Sequence, residues 1–244
     1  MSGGLIVLGL AAVLSAQPAA GPEGLDGRVS RFLEEARSSW SAWNVPYEDG
    51  KILYDLVLRN RFRTILEIGT STGHSTIWLA WAASNTGGKV TTVEIDRGRY
   101  EKALVNFRKA GVAAYIEARL GDAHELVPLL PGPFDFIFCD ADKDWYGRYF
   151  QDLKDKLAPG GCFAAHNVLW AGDPHVRNFL EQVRRAPGFR TTIERGSGEG
   201  ISVSCKETRG QKTEIREQNR TKSGYSGDSI LIFNPDLCLP TSDL

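Results

Sequence analysis

The chain has 244 residues, of which 42% are hydrophobic and 24% are charged, and its formal net charge is −1. This length and composition are typical of one globular domain with a full core. The balanced charge argues against a protein that binds nucleic acid by bulk electrostatic attraction.

The two ends of the chain differ in composition from the middle. Residues 5–16 (LIVLGLAAVLSA) form an apolar run that resembles a signal-peptide core, although no Lys or Arg precedes it. The run is shorter than the roughly 20 residues that span a membrane. We interpret residues 1–22 as a leader, either a signal or short anchor or an unstructured extension. Residues 207–244 begin with a long polar stretch and are expected to form a disordered tail, which leaves residues 23–206 as the domain.

The cysteines show no metal-binding or redox spacing. Cys139, Cys162, Cys205 and Cys238 are scattered, without a C-x-x-C pair. Cys139 and Cys162 lie inside apolar runs, so we expect them to act as small core residues. A reducing compartment, the cytoplasm, is therefore predicted, while the apolar leader keeps export or membrane anchoring open.

The middle of the chain alternates strand and helix patterns. Helices are predicted over residues 25–40 and from Pro46 onward, where acidic residues fall in the first turn. Further helices are predicted over residues 75–83, 97–110, 145–157 and 175–185. Strands are predicted to begin at Arg63, Lys89, Ala113, Phe134, Gly161, Phe189 and Gly200. Several of these strands are apolar on both faces, which predicts an α/β fold with an open, mostly parallel sheet covered by helices on both sides.

The first strand ends in LEIGTSTGHST, where Gly69 and Gly73 bracket a turn before a helix. Glycines at such a turn allow the backbone to approach a ligand, and the helix start offers unpaired N–H groups. The spacing is not the dinucleotide pattern G-x-G-x-x-G. A plain structural turn is the alternative interpretation.

The second strand ends in VEID, which places Glu94 where an acidic side chain can accept both hydroxyls of a ribose. Taken alone, this residue could simply cap the following helix. Together with the glycine turn, Glu94 indicates a ligand of the nucleoside type.

The fourth and fifth strands end in polar residues. CDADKDWY places Asp140, Asp142 and Lys143 at the carboxyl end of a central strand, the edge at which open α/β sheets bind ligands. A solvated loop is the alternative for any one of these charges. The run GGCFAAHNVLW ends its strand at the polar pair His166 and Asn167.

These segments, taken with GDA after the third strand and the closing GEGISVSC, resemble the cation-dependent class I O-methyltransferases. Those enzymes use S-adenosylmethionine (SAM), and the caffeoyl-CoA and catechol O-methyltransferases are familiar members. The resemblance covers about residues 39–206. It implies a Rossmann-like, seven-stranded sheet with an antiparallel last strand, a homodimer, and a small acceptor of phenolic or catechol type.

The resemblance also implies roles for individual residues. Lys143 matches the base of the catechol enzymes, and the metal ligands would be Asp140, His166 and Asn167. The residues implied to bind SAM are Val45, Glu67, Gly69, Ser75, Glu94, Asp122, Ala123 and Asp142.

His166 departs from the family pattern, which has aspartate before the asparagine. Magnesium prefers oxygen ligands, whereas imidazole suits zinc, iron, nickel or copper. Three interpretations stay open: a ligand for a softer metal, a general base in a site with little need for metal, or a decayed site. A divalent cation is therefore a cofactor whose presence and identity the sequence leaves open.

The predicted function is SAM-dependent methylation of a hydroxyl group. A SAM-binding protein with a degenerate metal site and weak or no catalysis is the alternative, and the glycine spacing disfavours a nicotinamide-dependent oxidoreductase. Trp145 and Trp170 indicate a flat aromatic acceptor, although both could equally pack in the core.

Overall fold

The computed structural model describes residues 24–40, 43–170 and 172–208. The predicted leader and all but the first two residues of the predicted tail lie outside the described residues, so both stay predictions. Within those ranges, no helix combines the length and the apolar character needed to cross a membrane.

Helices and strands alternate along most of the described chain. The helices are α1 (Leu25–Glu35), α2 (Tyr47–Asn60), α3 (His74–Thr86), α4 (Arg97–Ala110), α5 (Ala123–Leu129), α6 (Tyr146–Leu153) and α7 (Pro174–Arg185). The strands are β1 (Thr64–Ile68), β2 (Lys89–Glu94), β3 (Ile116–Leu120), β4 (Phe134–Cys139), β5 (Leu157–His166), β6 (Phe189–Glu194) and β7 (Ile201–Lys206).

The strands form one seven-stranded sheet in the order β3-β2-β1-β4-β5-β7-β6. Strands β1 to β5 pair in parallel, and β7 runs antiparallel to both of its neighbours, β5 and β6. This arrangement confirms the predicted Rossmann-like sheet with an antiparallel last strand. The chain order reverses between β1 and β4, which is the point where open α/β sheets bind ligands.

Helices cover both faces of the sheet, so there are two cores. One core lies under α1, α2, α3 and α4, and the other lies under α5, α6 and α7. Strand β4 shows how the sequence serves both: Phe136 and Phe138 enter the first core, and Ile137 and Cys139 enter the second. Because successive side chains of a strand point to opposite faces, a strand buried on both sides reads as a continuous apolar run.

Several element boundaries differ from the sequence prediction, and one helix was not predicted; the helix predicted over residues 145–157, for example, ends at Leu153. Helix α1 ends at Glu35 rather than near residue 40, and the three residues before β3 form a short 3₁₀ turn. Helix α5 was not predicted, since it has seven residues and contains Pro128. Strand β5 begins at Leu157, four residues before the predicted start, because the chain continues as a strand through a glycine pair that reads as a turn.

The cysteines are a second correction. Cys162 is buried, as predicted, but it forms a disulfide with Cys205, which lies directly opposite on β7. The two residues are 43 positions apart, and only the pairing of β5 with β7 brings them together. Among the described residues Cys139 is the free, buried cysteine. The prediction of a reducing compartment assumes that the cysteines are unpaired thiols. The disulfide between Cys162 and Cys205 removes that argument.

A buried aromatic cluster joins α3 to the segment before α2. The His74 ring stacks on Trp40 with ring centroids 4.6 Å apart, and its Nε2 accepts a hydrogen bond from Trp78 Nε1 at 3.1 Å. Its Nδ1 must therefore carry the proton that is donated to the Val45 carbonyl at 2.8 Å. Burial lowers the pKa of His74 to about 4, so the ring is held neutral.

Replacing His74 with Gln should change the pH dependence of stability. The folded-state pKa of about 4 lies below the ordinary value of 6.5, so the unfolded chain binds more protons between these values. The free energy of unfolding should therefore fall as pH drops below 6.5 toward 4. Between about pH 7 and about pH 5, the wild type should lose roughly 2 kcal/mol more than His74→Gln in urea unfolding. Parallel stability curves for the two proteins would contradict this.

Candidate functional site

A cavity of about 840 Å³ opens at the carboxyl edge of the sheet. Its size is in the range that holds a small ligand or cofactor. Of the residues implied by the resemblance, those that line it are Gly69, Glu94, Asp122, Ala123, Asp140, Asp142, Lys143, His166 and Asn167. The remaining three, Val45, Glu67 and Ser75, are not part of this lining.

The glycine turn after β1 lines the cavity with Gly69 and Ser71. Gly69 has a φ of 97°, and a Cβ at this position would lie 2.6 Å from the Asp140 carbonyl oxygen. Only glycine allows the ends of β1 and β4 to approach this closely. The backbone N–H of Ser71 donates to Glu94 Oε2 at 2.7 Å, which ties the turn to the end of β2.

Glu94 reaches the cavity with its carboxylate already oriented. The residue is only 4% exposed, and its Oε1 accepts hydrogen bonds from Arg99 Nη2 at 2.9 Å and from Asp96 N at 2.9 Å. The cap of α4 is Asp96, whose carboxylate accepts from Arg99 N. Capping by Glu94, the alternative left open by the sequence, is therefore not its role in this structure.

Glu67, Ser75 and Val45 are buried residues outside the cavity lining. Glu67 is fully buried, and its Oε2 accepts hydrogen bonds from the hydroxyls of Thr76 and Thr92. Burial raises the pKa of Glu67 to about 7, against the opposing effect of these hydroxyls and of Ser75. The Val45 carbonyl is held by the aromatic cluster described above.

The loops after β3 and β4 meet through a histidine that sequence reasoning did not select. Asp122 caps α5 by accepting from His124 N at 2.9 Å. The ring of His124 reaches Asp142 Oδ2 at 2.9 Å and stacks on Trp145 with centroids 3.6 Å apart. Asp142 also accepts from the Tyr149 hydroxyl at 3.0 Å.

Lys143 is held as an ammonium group next to Asp140. Its Nζ donates to Asp140 Oδ1 at 2.9 Å, to the Tyr146 hydroxyl at 2.7 Å and to the Ala141 carbonyl at 3.3 Å. These three contacts use all three N–H groups of a protonated lysine. Tyr146 is fully buried and donates in turn to the His166 carbonyl at 3.2 Å.

His166 lies between two carboxylates. Its Nε2 is 2.8 Å from Asp49 Oδ2, and its Nδ1 is 3.3 Å from Asp140 Oδ2, an ion-pair distance without the alignment of a hydrogen bond. Asp49 is 0% exposed and also accepts from Ser197 N at 2.9 Å and Ser197 Oγ at 2.6 Å. Burial alone would lower the pKa of His166, but the two carboxylates outweigh it and raise the pKa to about 9.

The same contacts act on the carboxylates. Burial favours the neutral form of Asp140, yet His166 and Lys143 hold the pKa of Asp140 below its ordinary value. Burial opposes ionisation of Asp49 as well, and hydrogen bonds from His166 and Ser197 hold the pKa of Asp49 below its ordinary value. The cluster therefore contains two carboxylates matched by two cationic groups.

Asn167 directly follows β5 and lies in the left-handed region, with a φ of 56°. Its side-chain Nδ2 donates to Glu199 Oε2 at 2.9 Å, and the Trp170 indole N–H donates to the same oxygen. Glu199 and Trp170 line the cavity beside Asn167.

The residues present do not fit a magnesium-like cation. Such a cation takes several oxygen ligands in octahedral geometry. Here Asp140 is the one carboxylate of the implied set, and its two oxygens face the Lys143 ammonium and the His166 ring. Across the described ranges, no group of three or more His, Cys, Asp or Glu side chains is arranged to hold a metal ion.

Sequence reasoning missed several residues of the site because nothing local marks them. Asp49 is 117 positions from His166, and in the sequence it reads as an ordinary acidic residue in the first turn of a helix. Tyr146 and Ser197 read as a core residue and a loop residue. The usable sequence signal was a polar residue at the end of an apolar strand. The residues that contact those polar residues, such as Asp49, have no such signal.

Comparison with known proteins identifies similar sequences. A family model described as O-methyltransferase matches residues 29–186. Among curated proteins, the chain is 36% identical over 161 residues to a caffeoyl-CoA O-methyltransferase from Mesembryanthemum crystallinum, over 61% of this chain and 63% of that protein. It is 37% identical over 150 residues to a catechol O-methyltransferase from Niastella koreensis, over 60% of this chain and 67% of that protein. The chain thus spans just under two thirds of the first of these relatives.

Solved structures show the same fold. An O-methyltransferase from Bacillus cereus in complex with S-adenosylhomocysteine (SAH) has a TM-score of 0.65 and 30% identity, over 80% of this chain and 94% of that chain. An O-methyltransferase of tomaymycin synthesis from Streptomyces achromogenes, in complex with SAM, has a TM-score of 0.64 and 29% identity, over 74% of this chain and 89% of that chain.

Replacing Asp49 with Asn should destabilise the fold, because it leaves the buried His166 cation short of one partner. The free energy of unfolding should fall by about 3 kcal/mol near neutral pH. The folded-state pKa of about 9 lies above the ordinary 6.5, so the stabilisation is present in full below 6.5 and is lost as pH rises through 9. The deficit of the variant should therefore shrink in alkaline denaturation experiments.

Asp55→Asn is the matched control, since Asp55 lies on the same helix but is exposed. This variant should stay close to the wild type at every pH. An equal loss of stability for the two variants would show that the pair with His166 contributes nothing specific.

Proposed function

The chain belongs to the O-methyltransferase family, and we propose that it transfers a methyl group from SAM to a hydroxyl group of a small aromatic acceptor. The observation that carries this proposal is a single cavity lined by two chemically different groups of residues. Glu94 and the glycine turn, which we assign to SAM and call the SAM end, line it together with Asp140, Lys143 and His166, which we assign to the acceptor. A nucleoside cofactor and a hydroxyl acceptor can therefore meet in one cavity.

The SAM end offers groups suited to a nucleoside. Oε1 of Glu94 is occupied by Asp96 N and by Arg99, whereas Oε2 accepts from Ser71 N and keeps a lone pair that a ribose hydroxyl can use. Asp122 and Ala123 would lie beside the adenine. The Gly69 turn lets the methionine portion of SAM pass close to the backbone.

Aromatic side chains at the mouth support a flat acceptor. Trp43 is 80% exposed and Trp170 is 49% exposed, and both line the cavity together with Trp145. Exposure of this extent argues against the core-packing interpretation of Trp170. The names of the curated relatives, caffeoyl-CoA and catechol O-methyltransferases, agree with a phenolic acceptor.

The transfer is an in-line displacement in which the acceptor oxygen bonds to the methyl carbon as the bond from sulfur to that carbon breaks. The electron pair of the broken bond returns to sulfur, and SAH leaves. The base is the neutral form of His166, in which Nε2–H donates to Asp49 Oδ2 and Nδ1 takes the hydroxyl proton. Because the two carboxylates raise the pKa of His166 to about 9, this neutral form becomes more abundant as pH rises toward 9. Fixed groups that align the oxygen with the methyl group supply much of the rate.

Lys143 has a different role in this proposal from the one implied by the resemblance. Because its three N–H groups already have acceptors, it serves as a fixed positive charge beside the reacting oxygen rather than as the base. A positive charge there stabilises the negative charge that develops on the oxygen as its proton leaves.

Methyl transfer itself is tested by incubating the purified protein with SAM and a panel of catechols and phenols. We expect SAH to form together with the methyl ether of at least one acceptor. Tight SAM binding without SAH formation, over the whole panel and with several metals, would favour a SAM-binding protein without catalysis.

Replacing Glu94 with Ala should weaken SAM binding by at least about tenfold in calorimetry, since the ribose hydroxyls lose their acceptor. Glu101→Ala on the exposed face of α4 is the control and should bind SAM like the wild type. The melting temperature of each variant shows whether the fold survives. Unchanged SAM affinity in Glu94→Ala, with the fold intact, would refute the assignment.

A further inference from the structure

We propose that the buried Asp49–His166 pair, together with the Lys143 ammonium, takes the place of a divalent cation, so that methyl transfer proceeds without a bound metal. This inference rests on the proposed function and concerns how the same site performs it. Asp49 is assigned a positioning role, since it acts on the acceptor only through His166.

The charges of the cluster are already balanced by the protein. Asp140 Oδ1 faces the Lys143 ammonium at 2.9 Å, and Asp140 Oδ2 faces His166 Nδ1 at 3.3 Å. A metal bound here would have to enter between His166 and Asp140 while lying close to a second positive charge on the same carboxylate. Like charges at such distances repel strongly in a buried site.

The Asp49–His166 pair is fixed by three separate parts of the fold. Asp49 comes from α2, His166 ends β5, and Ser197 comes from the loop between β6 and β7. Ser197 donates to both oxygens of Asp49, through its backbone N–H and its hydroxyl. The loop also packs tightly, because a Cβ at Gly196 would lie 2.9 Å from Asp49 Oδ1. Asp49 is thus held in one position facing His166.

The pair and the lysine can supply what a metal supplies. A divalent cation bound to an acceptor hydroxyl brings positive charge and makes the proton easier to remove. Here Lys143 brings the charge and the neutral form of His166 takes the proton at Nδ1, while Asp49 orients the imidazole by accepting from Nε2–H. A base oriented by a third group is the arrangement that activates hydroxyl nucleophiles in other enzymes.

The competing occupant is a softer metal, such as zinc, that accepts imidazole as a ligand. It would use His166 Nδ1, with Asp49 holding the opposite nitrogen as carboxylates do behind many metal-bound histidines. The first experiment therefore measures metal directly rather than through activity.

Metal content and Mn²⁺ binding are measured on purified protein saturated with SAH, by elemental analysis and by calorimetry. The wild type should carry no stoichiometric metal and should bind Mn²⁺ at least about tenfold more weakly than His166→Asp, which regains a carboxylate ligand. Stoichiometric zinc in the wild type, or Mn²⁺ binding as tight as in His166→Asp, would overturn the inference.

The second experiment uses catechol as the acceptor and measures SAH formation with a chelator or with added magnesium. The wild-type kcat should agree within about twofold between the two conditions. Asp49→Asn should lower kcat by at least about tenfold and leave the KM for SAM nearly unchanged, because Asp49 lies outside the SAM end. Asp55→Asn is the control and should keep the wild-type kcat.

Ser197→Ala is a milder variant in case Asp49→Asn folds poorly. It removes one hydrogen bond to Asp49 and should lower kcat by a smaller factor, again with the KM for SAM unchanged. Loss of wild-type activity on chelation, recovered with magnesium, would overturn the inference, and so would full kcat in both variants.

The two proposals fail in different ways. If the wild type does not bind SAM, the proposed function fails, while the Mn²⁺ comparison with His166→Asp still decides whether the site holds a metal. If SAM binds and SAH forms only when metal is added, the proposed function stands and this inference alone is wrong.

Discussion

The parallel pairing of β1 with β4 is the constraint on which the whole site depends. Ile68 pairs with Cys139, so the next residues along each strand, Gly69 and Asp140, lie side by side at the sheet edge. After these residues, the segments that follow β1 and β4 turn toward opposite faces of the sheet, which opens the cavity between them. A Cβ at Gly69 would contact the Asp140 backbone, so the closeness of the strand ends depends on that glycine.

The charged groups buried at this edge of the sheet are stabilised by pairing with groups of opposite charge. Asp49 and His166 are both buried, and each ion would be costly without the other. Their contact joins α2, which precedes the sheet in sequence, to the far end of β5, so the N-terminal part of the domain completes the site. The result is a cluster of fixed charges that needs little rearrangement when an acceptor hydroxyl reacts.

The sequence indicated which residues lie at the ends of the strands, but it indicated their roles only in part. Glu94, Asp140 and His166 all reach the cavity, as their positions at the ends of apolar runs indicate. Glu67 also follows an apolar run, but its side chain points between the sheet and α3 instead of into the cavity. Successive side chains of a strand point to opposite faces of the sheet, so the register of the strand decides which face a given residue occupies. The sequence alone did not show the register of β1.

The sequence by itself determined the alternation of strands and helices, the glycine turn, and the departure from the family pattern at His166. These follow from local rules: apolar periodicity, backbone freedom of glycine, and residue identity within a motif. Only the tertiary structure decided that Asp49 faces His166, that Cys162 bonds to Cys205, and that the amine of Lys143 is saturated with acceptors. Each of these is a contact between chain segments whose approach is set by packing of the sheet and its helices, and such packing leaves no mark on the residues flanking either partner.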